Sequence, residues 1–416
     1  MRYSILFIII SFLILLVGCY DRIELEKQSY VIVIGIDKTD KRGVYEFTYK
    51  IANPEVGSAS VPNTPDEPAA EIVTVQGVDI LSATYTANSI VSKRITLDQT
   101  KVIVASEELA RSEDFMGVIQ STSRSPQIRR DVQLVVTKEK AVEFLNNNDP
   151  LVETRPHKYY QFMLTRAIET GIIPEATMHR FFQITEGDAD LFLGIYATTE
   201  NDKKEQHNEG IEDKYKAGEI PQLGGSPTQF MGSAVFKEGQ MIDTIDGEET
   251  RLVHMLDKTL RMEEYIATIP DPILPEFFVS YNYSQKKEPI INIDYYPNKP
   301  TEINVHVKFQ AEIIAVPSLI PYTQNLEYRK KLEEEIVKRL EDKTEAFIKK
   351  TQTEYRSDPF YWSLNIRKHF KDIKEYEKAD WHKNIYPNAK INVTYELDTL
   401  EFGKMIDDSD LNEVRD

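Results

Sequence analysis

The chain has one cysteine, Cys19, in 416 residues. No intrachain disulfide can form, so the fold must be held by packed cores. Positive charge is also scarce. Lys and Arg number 50 against 68 Asp and Glu, a formal net charge of −18. Such an acidic chain is poorly suited to nucleic acid or to broad adhesion to anionic lipid. Long apolar runs are scarce too. SILFIIISFLILLV at residues 4–17 is uncharged, but a bilayer-spanning helix needs about 20 apolar residues. No second run of that kind follows it. The Gly-rich phosphate loops GxGxxG and GxxxxGK[ST] do not occur, so the usual nucleotide-binding signatures are missing.

Residues that could carry chemistry are present but scattered. The seven histidines are His157, His179, His207, His254, His306, His369 and His382, and none forms an HExxH or HxH pair. That spacing does not assemble a zinc site. Gly224-Gly225-Ser226 and Gly232-Ser233 invite a nucleophile reading, yet neither fits GxSxG. Glu186, Asp188 and Asp190 in TEGDADLF gather acid as a cation site would. The twelve-residue loop with a terminal bidentate Glu is missing, so the stretch reads as a solvated loop before a strand. Arg124, Arg129 and Arg130 in SRSPQIRR form the one basic patch. It could grip an acidic partner or lipid headgroups, or simply pair with nearby acids. No catalytic constellation emerges. The expectation is a protein without enzymatic activity, cofactor or metal, and with no known ligand-binding residue.

The position of the single thiol is informative. Arg2 precedes the apolar run, and the run ends in Leu16-Val17-Gly18-Cys19. A basic start, a short apolar core and a small residue before the break describe a secretory signal. The ending resembles the bacterial lipoprotein box, in which the cysteine is linked to diacylglycerol and becomes the first residue after cleavage. Only a thiolate is nucleophilic enough for that alkylation. The expectation is a signal peptide at 1–18, a lipid anchor at Cys19 and a polar tether over 19–29. An uncleaved anchor helix with an incidental cysteine is the other reading. Two or more acyl chains hold a protein stably, at roughly 0.8 kcal/mol per buried CH₂.

Beyond the tether, YVIVIGID (30–37) is almost continuously apolar and predicts a strand covered on both faces. VYEFTYKIA (44–52) alternates and predicts a half-buried partner in a hairpin. A mobile loop is expected over 53–71 and a helix over 79–93, with further strands at 101–105, 131–137 and 190–198 between helices. Interleaving of this kind predicts a mixed α/β domain over 30–198. Residues 199–227 hold few large apolar side chains and read as a linker or long exposed loop. A middle β-rich domain is expected over 228–290 and a C-terminal α+β domain over 291–416. The last contains a long charged helix at 326–355, whose stripe Leu332, Ile336, Leu340 and Phe347 should lie on a sheet. The fold class is therefore α+β or mixed α/β, in three domains, with mixed sheets flanked by helices.

Five stretches stand in order along the chain: GCYDRIELE followed by VIGIDK, TKVIVASEELAR (100–111), RSPQIRRDVQLVVTKEKAVEFL (124–145), MGSAVFKEGQMIDTIDGEETR (231–251) and TQTEYRSDPFYWSLNIRKHF (351–370). Together they resemble one family: the Ger(x)C family, the C-subunit lipoproteins of bacterial spore germinant receptors. Tyr20 stands where the family usually has Trp, and Asp243 and Thr244 replace a common Gly. The resemblance implies a lipidated Cys19 and a three-domain α/β architecture without enzymatic activity. It implies a place beside a multi-pass A subunit and a transporter-like B subunit. The protein would then be lipid-anchored on the outer leaflet of the spore inner membrane and required for germination in response to nutrients. The alternative is a solute-binding lipoprotein of a membrane transporter, which would show repeated βα units in two lobes around a cleft. A lipid-anchored hydrolase would need a nucleophile–base pair or metal ligands.

Overall fold

The computed structural model describes residues 24–53, 68–187, 190–201 and 211–403. Cys19, the expected signal segment and most of the expected tether lie outside the described residues, as do most of the expected 53–71 loop, Asp188 and His207. Two mixed sheets organise the rest.

The first sheet begins with β1 (Gln28–Lys38), β2 (Tyr45–Ala52) and β3 (Ala70–Gly77), which pair antiparallel in the order β3-β2-β1. Helix α1 (Ile80–Ala87) and the short β4 (Arg94–Thr96) follow, and β4 runs parallel to the start of β1. Next come β5 (Val102–Ser106), the single turn α2 (Glu107–Ala110), α3 (Phe115–Thr122), β6 (Gln133–Thr137), α4 (Ala141–Asn147), α5 (Pro156–Glu169), α6 (Met178–Gly187) and β7 (Phe192–Thr198). β1, β5, β6 and β7 are neighbours and all parallel. Their side chains are buried almost throughout, as the continuous apolar runs require when helices cover both faces.

Adjacent strand residues show the two layers. Gly35 lies beneath α4, where a Cβ would come within 3.0 Å of Leu145 and 3.2 Å of Ala141. On the other face the Tyr49 hydroxyl meets Thr84 of α1 at 3.0 Å. Asp37, buried near the end of β1, accepts bonds from the Ala141 and Val142 amides at 2.7 and 3.0 Å and so docks the first turn of α4. Asp79 caps α1 in a reciprocal box with Ser82. The helix is shorter than the 79–93 expectation because residues 88–93 turn back to deliver β4 to β1.

Two further strands, β8 (Gln229–Lys237) and β9 (Gln240–Ile245), extend this first sheet antiparallel beyond β7. The stretch placed in a middle unit is thus divided: residues 229–245 hydrogen-bond onto the N-terminal sheet, and the second sheet starts after Leu256. Residues 211–227, expected to be linker, pack instead of hanging free. Ile211, Asp213 and Ala217 are buried, and Gln229 accepts bonds from the Gly218 and Ile220 amides. Their polar composition hid this: Ala217 joins the first core with Tyr215 and Ile220 packed against it, and the Gln229 amide and the Asp213–Arg251 pair fix the rest.

Helix α7 (Gly247–Leu256) leads to the second sheet: β10 (Tyr265–Pro270), β11 (Phe278–Ser284), β12 (Ile290–Asp294), β13 (Glu302–Ala315) and β14 (Lys390–Glu401). β13 is its spine. β12 pairs with its first half and β11 with its second, both antiparallel and on one edge. β14 runs parallel along the other edge. A parallel neighbour needs a crossover, supplied by α8 (Leu326–Lys350) and by the short helices α9 (Ser363–Ile366) and α10 (Ile373–Ala379). α8 buries Leu332, Ile336, Leu340 and Phe347, the stripe expected from spacing. The C-terminal part is therefore a long helix on a β-sheet, within a mixed α/β chain.

Candidate interaction surfaces

Two features stand out: a polar clasp between the sheets and an open apolar groove on the first. The clasp begins at Arg251 of α7, which is buried. Its guanidinium donates to Asp213 at 2.8 Å, to the Ile266 carbonyl at 2.7 Å and twice to the Thr170 carbonyl at 3.1 Å. One side chain thereby ties the end of α5, the 211–217 segment and β10. It also lies over the Tyr265 ring, 5.5 Å from its centroid. Burial pushes the Asp213 carboxyl up, and the nearby Arg251 charge opposes that. Gly171 makes room here: a Cβ on it would sit 2.4 Å from the Tyr265 ring, and its φ is +70°. His254 meets the Tyr265 hydroxyl at 2.7 Å. Burial lowers its pKa to about 4, so it is neutral, and the ring and the tyrosine hydroxyl share one hydrogen bond.

The second half of the clasp is the stretch SDPFYWS (357–363). Asp358 is fully buried and accepts bonds from the Phe360 and Trp362 amides at 2.6 and 2.7 Å. Burial outweighs those bonds and lifts its pKa to about 7. The Leu191 amide donates to the Asp358 carbonyl at 3.0 Å, and the Trp362 indole donates to Leu256 at 3.0 Å. Ser363 donates to Asp190, and His382 lies 3.5 Å from the same carboxylate. Arg180 of α6 pairs with Asp257 and donates to Thr259 at 3.0 Å. From the long helix, Arg339 and Lys343 reach Glu248, and Lys350 reaches Glu249. Part of its charged side thus grips α7 rather than facing water.

The groove has a volume of about 920 Å³. It lies between α5, the loop before it and the 225–228 turn, with Leu151, Val152, Phe162 and Met163 on its walls. Val152 is fully exposed, Leu151 is 74% exposed and Phe162 57%. Large apolar side chains open to solvent around one concavity mark a binding surface. Its floor is rigid. Asn148 donates to Tyr160 at 2.7 Å and accepts from Thr228 at 3.0 Å, while its carbonyl and that of Leu145 accept from Lys50. Burial lowers the Lys50 pKa to about 8.

The sequence candidates disperse. Arg124, Arg129 and Arg130 are exposed, and Arg129 forms a two-point pair with Asp131 at 2.7 and 3.0 Å. Glu186 is exposed, whereas Asp190 is buried against Ser363 and His382, so the acidic stretch is not wholly a solvated loop. Gly224 and Gly225 are turn residues with positive φ, and the Ser233 hydroxyl is engaged with Thr250 at 2.7 Å. Among the described residues, no His, Cys, Asp or Glu side chains cluster as metal ligands, and no helix is long and apolar enough to cross a membrane. Sequence reasoning missed both the groove and Arg251. Adjacent Leu151-Val152 in a loop was the available signal for the first. Nothing in the spacing of Arg251 and Asp213 signals the second.

Comparison with known proteins bears on both halves of the chain. Residues 21–198 match the family described as spore germination protein N-terminal domain, and residues 231–403 the family described as spore germination B3/GerAC-like, C-terminal. Spore germination protein KC of Bacillus subtilis (strain 168) is 29% identical over 155 residues, covering 36% of this chain and 38% of that protein. Spore germination protein B3 of the same organism is 20% identical over 416 residues, covering 97% and 98%. The crystal structure of the GerBC protein is similar in fold, with a TM-score of 0.51 at 16% identity over 88% of this chain and 96% of that one.

Proposed function

Because the chain belongs to the Ger(x)C family of spore germination proteins, we propose that it is the non-enzymatic C subunit of a nutrient germinant receptor. In this reading lipid on Cys19 holds it on the outer leaflet of the spore inner membrane. The folded part docks on a multi-pass A subunit and a transporter-like B subunit and helps convert nutrient binding into ion release. The observation that carries the reading is the presence of both family domains, in order, along one chain.

The geometry supports a role through contact. The clasp ties the two sheets at several separate places, so force or position applied to one is passed to the other. The groove at α5 offers a preformed apolar cleft, and we assign to it the contact with a membrane-protein partner, whose surface loops or helix ends would supply complementary apolar side chains. The transporter solute-binder alternative finds less support, since the second half is a five-stranded sheet with one long helix, not a second βα lobe.

Replacement of the anchor tests the reading. Cys19→Ala should leave the fold intact, release the protein from the membrane fraction and impair germination. An unchanged membrane fraction in that variant would refute the anchor.

A further inference from the structure

Beside the point where the chain enters the first sheet lies an uncharged apolar surface that the proposed receptor contacts do not use. α1 turns Ile80, Ala83 and Ala87 inward. Leu81 and Tyr85, one helical turn apart, therefore share its outer side. They are 48% and 84% exposed, and Val78 and Ile90 at the two ends are 62% and 61% exposed. From Ile80 to Ser92 no residue is charged, in a chain where 28% are. Asp79, just before, is spent on the helix cap. Lys93 and Arg94 come immediately after.

The surface is close to the tether. The Asn88 side chain, at the end of α1, accepts a bond from the Ile95 amide at 2.9 Å. Ile95 pairs with Ser29, and Arg94 with Gln28, at the start of β1. The end of α1 is thus one strand away from the residue at which the chain leaves the first sheet toward Cys19. Between Gln28 and Cys19 the chain can span at most about 30 Å, at roughly 3.3–3.6 Å per residue.

We propose that the outer face of α1, with Val78, Leu81, Tyr85 and Ile90, rests on the lipid surface and sets the orientation of the first sheet on the membrane. The inference rests on the reading of Cys19 as a lipid anchor. Tyr with aliphatic neighbours is the composition that sits at the headgroup boundary, and Lys93 and Arg94 flank it as cations flank interfacial segments. The face is too small to bind a membrane alone. With the anchor holding it nearby, association becomes intramolecular, and a weak contact suffices. The lack of charge over 80–92 then has a cause: any charged residue there would have to be dehydrated at the boundary.

The full-length lipoprotein, reconstituted into phosphatidylethanolamine–phosphatidylglycerol vesicles, tests this directly. With Cys19 acylated, a thiol introduced by Leu81→Cys or Tyr85→Cys is the only one free to take an environment-sensitive dye. Lys338→Cys on the exposed side of α8 is the control. Dyes at 81 and 85 should shift to the blue and lose fluorescence to nitroxide-bearing lipids, while the dye at 338 does neither. Vesicle-bound protein with unquenched dyes at 81 and 85 would overturn the proposal and leave the anchor standing. Protein that fails to float with vesicles would overturn the anchor and the proposal together. Shielding of 81 and 85 only when a multi-pass partner is co-reconstituted would assign the face to protein contact instead and refute the lipid reading.

Discussion

Removing the Arg251 guanidinium tests the clasp most sharply. Arg251→Met keeps much of the side-chain volume but deletes the donors to Asp213, Ile266 and Thr170. Asp213 is 4% exposed, so its carboxylate would be left buried and unpaired. Breaking a buried pair in this way costs about 3–5 kcal/mol. An orphaned carbonyl adds as much as roughly 1–3 kcal/mol where the site cannot relax. We expect a net loss of about 4 kcal/mol, a large part of the roughly 5–15 kcal/mol that holds a domain. Adding Asp213→Asn removes the stranded charge and should return roughly 0.5–3 kcal/mol. Guanidinium unfolding followed by tryptophan fluorescence reads this well, because Trp362 and Trp381 are both buried in the second core. The pH dependence gives an independent check. Burial already raises the Asp213 pKa, and loss of Arg251 raises it further. A carboxyl whose folded pKa exceeds its unfolded value contributes stability at low pH and loses it as pH rises. The defect of Arg251→Met should therefore shrink on acidification. A variant within about 1 kcal/mol of wild type, with no recovery from Asp213→Asn, would refute the assignment of Arg251 as the tie between the sheets.

Two other substitutions follow from local geometry. Asp246 caps α7 through the Glu249 amide, and burial with the neighbouring Glu249, Glu248 and Asp213 charges lifts its pKa to about 7 from 3.8. Wild type should lose stability as pH rises from 4 through 7, whereas Asp246→Asn keeps the cap and should gain on it over that window. Paired unfolding curves at the two ends decide it, and a pH-independent gap would count against the buried carboxyl. Gly232 has φ +77°, and a Cβ there would lie 2.2 Å from the Ile245 carbonyl. Gly232→Ala should cost at least about 1–3 kcal/mol and shift the thermal midpoint downward.

What the sequence revealed depended on whether its signals were local. The strands β1, β5, β6 and β7 were legible because a sheet covered on both faces needs continuous apolar runs. α8 was legible because Leu332, Ile336, Leu340 and Phe347 fall at helical spacing. The attachment of β8 and β9 was not, since a hairpin's alternation shows which faces are apolar but not which sheet edge it joins. Gly35 looked like an ordinary strand residue, yet Leu145 and Ala141 of α4 press against it, leaving no room for a Cβ. Asp190, Asp213 and Arg251 were obscured for one reason. A charged residue read alone is taken as solvated, and only the tertiary fold shows that its partner is buried beside it. The groove was missed similarly, because Leu151, Phe162 and Ser226 converge only after α5 packs.

The central claim is that this chain works by apolar contact with membrane-protein partners. Affinity capture of the tagged, full-length protein from gently solubilised spore membranes tests it most directly, comparing wild type with a Leu151→Asp, Phe162→Asp variant. Both side chains are exposed, so the variant should fold and reach the membrane as wild type does. The account predicts that multi-pass partners co-purify with wild type and are lost from the variant, with germination slowed to match. Wild-type protein recovered alone, or partners retained equally by both, would contradict it.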